Sequence, residues 1–211
     1  NKREAAQQFT PTAADQFILE DPALNFRVLN LTQSVFQESV TSYYHNSIGG
    51  YHGAKMRRYQ DLIDNKFDGE INMLIQALQS QNMDSINKAL QSVNALNMLN
   101  TKYLILNPQG QPLINPSARG NAWFVSDYVM AQNADEEMIR LGTIDPGKEA
   151  TVDIRFSEYL DGYTFDVDSS ASIVLTDYKP NRLTYTCRLE KEQLAVFSEL
   201  YYPKGWNDSI D

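Results

Sequence analysis

Apolar residues recur at three- and four-residue spacing through Tyr59, Leu62, Ile63, Phe67, Ile71, Leu74, Ile75 and Leu78. That period puts one stripe on one face of an α-helix. Gly69 lies inside the run and costs about 1 kcal/mol against alanine, so one helix and two helices broken near it both fit. The stretch Ser80 to Asp84 interrupts the pattern, and a second helix follows, carrying Ile86, Ala89, Leu90, Val93, Leu96 and Leu99, with Asp84 as its expected cap. Asn94, Asn97 and Asn100 are indifferent helix formers, which predicts fraying toward Asn100. Before these helices, Thr12 opens a short helix that Pro22 stops, Phe26 to Leu31 has strand composition, and Ser34 to Val40 reads as a short helix.

Near Thr101 the period changes from 3.6 to 2. Strands are predicted at Lys102 to Leu106, Asn121 to Ala131 and along "ATVDIRF", with a short helix in "NADEEMIRLGT" started by Asn133 or Asp135. Ser172 to Tyr178, Arg182 to Leu189 and Gln193 to Tyr202 are joined by short polar turns, which predicts an antiparallel meander. Helices precede strands and no βαβ alternation is visible, so the fold class is α+β. A helical segment at about 57–100 is expected to pack on a mainly antiparallel sheet or sandwich from the C-terminal half. Residues 1–211 then form one domain, with a mainly helical half at 1–100 behind a leading strand and a mainly β half at 101–211. In the last strand, alternation puts Leu194, Val196, Ser198, Leu200 and Tyr202 on one face and Ala195, Phe197, Glu199 and Tyr201 on the other. Apolar side chains on both faces predict a covered central strand, with Tyr201 and Trp206 in the core.

The net charge of -9 argues against nucleic acid as a partner, because an acidic chain repels a phosphate backbone. One cysteine, Cys187, excludes an intramolecular disulfide and CxxC-type zinc sites, and its mid-strand position predicts a buried, inert thiol. No apolar run reaches the length of a membrane span, and the polar start lacks the apolar core of a signal peptide. The start without methionine and an ending just after a strand are what is expected of a piece of a longer protein, truncated at its C-terminus.

Chemistry-bearing patterns are few. His45 and His52 stand seven apart, without HxH, HxxxH or HExxH spacing, so no metal is expected. No GxSxG accompanies a base, no glycine-rich phosphate loop occurs, and the aspartates of "DGYTFDVDSS" break EF-hand spacing after Asp168. No catalytic residue and no cofactor is expected. The one dense constellation is "GGYHGAKMRRYQ". It sets Lys55, Arg57 and Arg58 beside three glycines, Tyr44, His45, Tyr51 and His52. Charge runs are usually solvated, which favours a loop entering a helix. The same mixture of flexible glycines, cations and aromatics also suits an anion or sugar-phosphate surface, with arginine the better phosphate ligand.

The segment "TSYYHNSIGGYHGAKMRRYQDLID" resembles part of the YfhO-like family of bacterial multi-spanning membrane proteins, in its Bacteroidetes branch. So do "FRVLNLT", "LNMLNTKYLI", "GNAWFV" and "LAVFSELYYPKGW", in the family's order, from about Phe9 to Trp206. The last departs from the family's "YYPGW" by Lys204. The resemblance implies a late, extracytoplasmic soluble region of a polytopic inner-membrane protein, on the periplasmic side. Such proteins resemble lipid-linked-sugar glycosyltransferases whose catalytic carboxylate lies on an early loop, so no catalytic role transfers to a residue here. The implied partners are the membrane-embedded remainder of the polypeptide and a lipid-linked sugar or envelope glycan. The implied role is to help position acceptor or lipid phosphate, through Tyr44, His45, Tyr51, His52, Lys55, Arg57 and Arg58. A sugar-binding or protein-interaction module of the cell envelope with no part in transfer is the alternative, and a free-standing hydrolase ranks last.

Overall fold

The computed structural model describes residues 9–160, 162–166, 168–202 and 204–210. The fold is α+β, built around a four-stranded mixed sheet and three two-stranded ladders. Helix α1 (Ala13–Leu19) opens on a capping box, in which the Thr12 hydroxyl accepts from the Asp15 amide while the Asp15 carboxylate accepts from the Thr12 amide. Strand β1 (Arg27–Asn30), the four-residue helix α2 (Thr41–Tyr44) and strand β2 (Asn46–Ser47) follow. The helix expected at 34–40 is irregular chain instead, and the helical turn comes directly after it.

Helix α3 (Arg57–Leu62) runs through a π-helical stretch, Ile63–Phe67, into α4 (Asp68–Gln79). Gly69 therefore breaks nothing, and the irregularity precedes it. Helix α5 (Met83–Ser92) is capped by Asn82, whose side chain accepts from the Asp84 and Ser85 amides, so the cap stands two residues before Asp84. After a break at Val93, α6 (Asn94–Met98) ends at Asn100, which takes the left-handed conformation with φ of 54°. The asparagines anchor this helix instead of fraying it. Asn94 donates to the Ile144 carbonyl at 2.9 Å, Asn97 to Leu90 at 2.7 Å and Asn100 to Asn25 at 3.0 Å.

Strands β3 (Thr101–Ile105) and β4 (Leu113–Ile114) complete the sheet in the order β2-β1-β3-β4. β1 lies parallel to both β2 and β3, whereas β3 and β4 are antiparallel. The chain makes two crossovers within this parallel set, from β1 through α2 to β2 and from β2 through α3 to α6 to β3, an alternation not visible in the sequence that leaves the class unchanged. Period-2 alternation sorts the two faces. Leu29 and Leu104 join Phe67, Leu74, Leu90 and Leu96 beneath the helices, while Val28, Tyr103 and Ile105 pack on α1 through Ala14 and Ile18. Each fully buried large apolar side chain here contributes about 1.5–3 kcal/mol.

The predicted strand 121–131 divides at Ser126 into β5 (Ala122–Val125) and β6 (Asp127–Ala131), which enter different ladders. Helix α7 (Ala134–Arg140) begins on an Asn133 cap. Strand β7 (Glu149–Asp153) pairs parallel with β6 and leads through a 3₁₀ turn, Ile154–Phe156, into α8 (Ser157–Leu160). Strands β8 (Ser172–Lys179) and β9 (Arg182–Arg188) form the expected antiparallel hairpin. The last strand, β10 (Leu194–Phe197), does not extend that meander but pairs antiparallel with β5. It also stops early, because the Ser198 carbonyl accepts from Arg27 at 2.8 Å and Glu199 turns to the same guanidinium. Tyr201 and Trp206 consequently leave the core, with 51% and 40% of their surface exposed. Cys187 is likewise exposed, although it shares the face of half-buried Leu183 and Tyr185, because the end of β9 from Thr186 to Arg188 is open on both faces.

Candidate functional site

The diglycine motif owes its composition to packing. A Cβ on Gly49 would lie 1.9 Å from the Val35 carbonyl oxygen, and Gly50 adopts φ of +110°. The Gly50 amide donates to Val35 and the Tyr51 amide to Glu38, both at 2.7 Å, so the loop is laced against residues 35–38. Tyr59 fixes the other end by donating its hydroxyl to the Ile48 carbonyl and setting its ring against Phe67, 5.5 Å between centroids. Burial pushes the Tyr59 phenol up to about 12, against the pull of Arg27. Gly53 has no neighbour within 4 Å and stands in open space.

The seven residues singled out from sequence do not converge on one point. His45 is a core histidine, with 3% of its side chain exposed and Nε2 at 2.9 Å from Asp15 Oδ1. Burial works to raise the Asp15 carboxyl, but bonds from Thr12 and His45 outweigh it and hold the group below its ordinary value. Tyr44 donates its hydroxyl to the Phe9 carbonyl and meets Tyr43 edge-on, and Tyr43 in turn lies 4.9 Å from the Phe9 ring. Tyr51 is 73% exposed. His52 is exposed and accepts from the Ala54 amide at Nδ1. Lys55 sets its ammonium 5.3 Å from the Phe36 ring centroid, and Arg57, 93% exposed at its side chain, reaches only a 4.0 Å pair with Asp61. Arg58 turns away from both, its guanidinium 6.0 Å from the Tyr201 ring centroid. The loop therefore presents Tyr51, His52 and Arg57 to solvent, with Lys55 half-exposed beside Phe36.

No family model, curated protein or solved structure matches the chain. Its chemistry is therefore read from its own geometry. Among the described residues no group of three His, Cys, Asp or Glu is placed to hold a metal, and no helix is long and apolar enough to cross a membrane. Of the loop aspartates, Asp161 lies outside the described residues. Asp166 pairs with Lys191 at 2.9 Å, and Asp168, pulled to about 2 by bonds from the Ser170 hydroxyl and the Glu190 amide, organises its turn.

Two groupings escape the sequence reading. The first centres on Arg27, which donates to the Leu99 and Ser198 carbonyls at 2.8 Å each and pairs with Glu199 at 3.3 Å. Asn25 donates to the same carboxylate, Asn121 donates to the Asn25 carbonyl, and the Ser198 amide returns to the Asn121 carbonyl. The visible signal is a charged residue inside the apolar run "FRVLNL". The second is the Arg58 guanidinium beside the Tyr201 ring, a contact between residues too far apart in the chain to leave a local pattern.

Proposed function

We propose that this chain is a non-catalytic, extracytoplasmic domain of a multi-spanning membrane protein of the YfhO-like kind, and that its 43–57 surface helps to position a lipid phosphate or the acceptor beside it. The observation that carries the reading is the pairing of two cations, exposed Arg57 and half-exposed Lys55, with exposed Tyr51 on a loop held by close glycine packing and with exposed Tyr43 on the helix before it. Aromatic rings with polar tips beside cations suit the boundary between headgroups and water. In a chain of net charge -9, a local cationic surface is what allows approach to an anionic headgroup.

The segments that carry the family resemblance give further support, because they are neighbours in space. "FRVLNLT" contains β1, "LNMLNTKYLI" spans α6 to β3, "GNAWFV" contains β5 and "LAVFSELYYPKGW" contains β10. β1 pairs with β3 and β5 with β10, and the Arg27 network joins the two pairs. Residues shared for such a purpose belong to a scaffold, which fits a role in positioning.

Two measurements test the proposal. Alkaline phosphatase and green fluorescent protein fusions to the full-length protein should show this domain outside the cytoplasmic membrane, and a fluorescent, phosphatase-negative fusion would refute that placement. Vesicles of phosphatidylglycerol and phosphatidylcholine should bind the chain at low salt. At about 1 kcal/mol per cation near an anionic surface, Lys55→Gln with Arg57→Gln should weaken binding roughly 30-fold. Equal binding by the folded double variant would remove the 43–57 surface from the proposal.

A further inference from the structure

The β8–β9 hairpin ends on an open edge. Strand β9 pairs with β8 on one side, and among the described residues no strand lies on its other side. Every second residue of β9 therefore turns its N–H and C=O away from β8, a ready template for another strand. The devices that blunt such edges are missing along it. Its seven residues, Arg182–Arg188, hold no proline and no lysine, and their charges stand only at the two ends. The hairpin's bulge lies on β8, between Leu175 and Asp177, and leaves β9 regular.

The faces of β9 show what is left uncovered. Leu183 and Tyr185 are half-buried, and the Tyr185 ring meets Phe197 of β10 at 5.0 Å between centroids. Cys187 continues that face and Leu189 is next in the alternation, yet Cys187 is exposed and Leu189 is 45% exposed. Residues 187–190 border a hollow of about 480 Å³, with Ser170 also lining it. Glu190 is fixed by its amide, which donates to Asp168 at 2.9 Å, and the residue is exposed.

A second copy of the same strand, running antiparallel, covers these groups in one register. Because side chains alternate, only pairings between residues of like parity keep the two apolar faces together. Centred on Tyr185, the pairing opposes Arg182 and Arg188 at both ends, and like charges directly opposite repel. Centred on Cys187, it sets Lys191 against Leu183 on the apolar face, and centred on Thr184 it leaves Cys187 and Leu189 uncovered. Centred on Thr186, it sets Arg182 against Glu190, Leu183 against Leu189, Tyr185 against Cys187 and Thr186 against itself. We infer that the free edge of β9 binds the same edge of a second copy of this chain, antiparallel and centred on Thr186, so that two hairpins form one continuous sheet. This partner goes beyond the headgroup reading of the 43–57 surface and stands without it, because Lys55 and Arg57 take no part.

Pairing along one short strand is a small interface, so the dimer Kd should be on the order of 100 µM. Sedimentation equilibrium on the whole chain should show a monomer–dimer equilibrium between about 10 µM and about 1 mM. Thr186→Lys sets two ammonium groups against each other at the centre of the pairing and should weaken association roughly tenfold. Thr186 is exposed, so the circular dichroism of the fold should not change. Glu190→Lys should also weaken association, and adding Arg182→Glu should restore it. In a Cys187→Ser background, Thr186→Cys places two thiols directly opposite and should give a disulfide-linked dimer on mild oxidation. Thr184→Cys in the same background separates the thiols by about 13 Å along the strands and should not. Three results would overturn the inference. They are a chain that stays monomeric up to about 1 mM, equal association by folded Thr186→Lys, and cross-linking through position 184 as fast as through position 186.

Discussion

Glycine at one position and glycine four residues later serve different ends. Gly49 faces the Val35 carbonyl at a distance no side chain tolerates, whereas Gly53 faces open space. Gly49→Ala should therefore cost about 3 kcal/mol or prevent folding, and Gly53→Ala should stay within about 0.5 kcal/mol, both read from urea unfolding. Tyrosines report burial in the same local way. Burial pushes Tyr59, Tyr103 and Tyr185 from 10 up to about 12. A folded-state value above the unfolded one means that the native state holds the proton more tightly. The associated stability is complete below pH 10 and is lost as the pH climbs toward about 12. Absorbance at 295 nm should show these phenols ionising last among the twelve tyrosines, together with the loss of native circular dichroism.

Helices here are joined by side chains that satisfy backbone ends. Glu70, on α4, accepts from the Ala95 amide at 2.9 Å and the Leu96 amide at 3.0 Å, closing the start of α6 from a neighbouring helix. Burial raises its carboxyl above the ordinary value, although both amides and Lys66 oppose the shift. Glu70→Gln keeps one acceptor and turns an amide donor on the other N–H, so unfolding in urea should show a loss of about 1–3 kcal/mol. Asn133→Ala removes the oxygen that caps α7 and should cost about 1 kcal/mol, with less helical signal at 222 nm. Both caps were open to different degrees of inference. Asn133 stands next to its helix in sequence, and Glu70 lies 25 residues from the amides it serves.

Across the whole molecule, Arg27, helped by Asn25 and Asn121, ties the mixed sheet to the β5–β10 ladder. Replacing it with methionine leaves the Leu99 and Ser198 carbonyls without this donor and leaves Glu199 with its Asn25 bond. Hydrogen exchange should then rise in residues 194–199 while helices α4 and α5 keep their protection, because the core beneath those helices does not include Arg27. Uniform loss of protection would show instead that the two parts unfold as one unit.

The sequence by itself determined the elements whose signals are local. Period 3.6 over 59–99, the helix opened at Thr12, the helix begun at Asn133 or Asp135, the strand expected at 102–106 and the β8–β9 hairpin all depend on residues within a few positions of one another. The α+β class follows from their order. The diglycine segment was legible as special, but only packing against Val35 and Glu38 explains why. Tertiary structure decided the pairings. β10 prefers β5 to the adjacent β9, β1 lies parallel to β3 across a helical crossover, and the 121–131 strand divides between two ladders. Those choices rest on hydrogen bonds between residues tens of positions apart, and alternation along one strand carries no information about its partner. The same reason sent Tyr201 and Trp206 outward and separated Arg58 from Lys55 and Arg57. A basic run on paper divided once the Tyr201 ring was brought to Arg58.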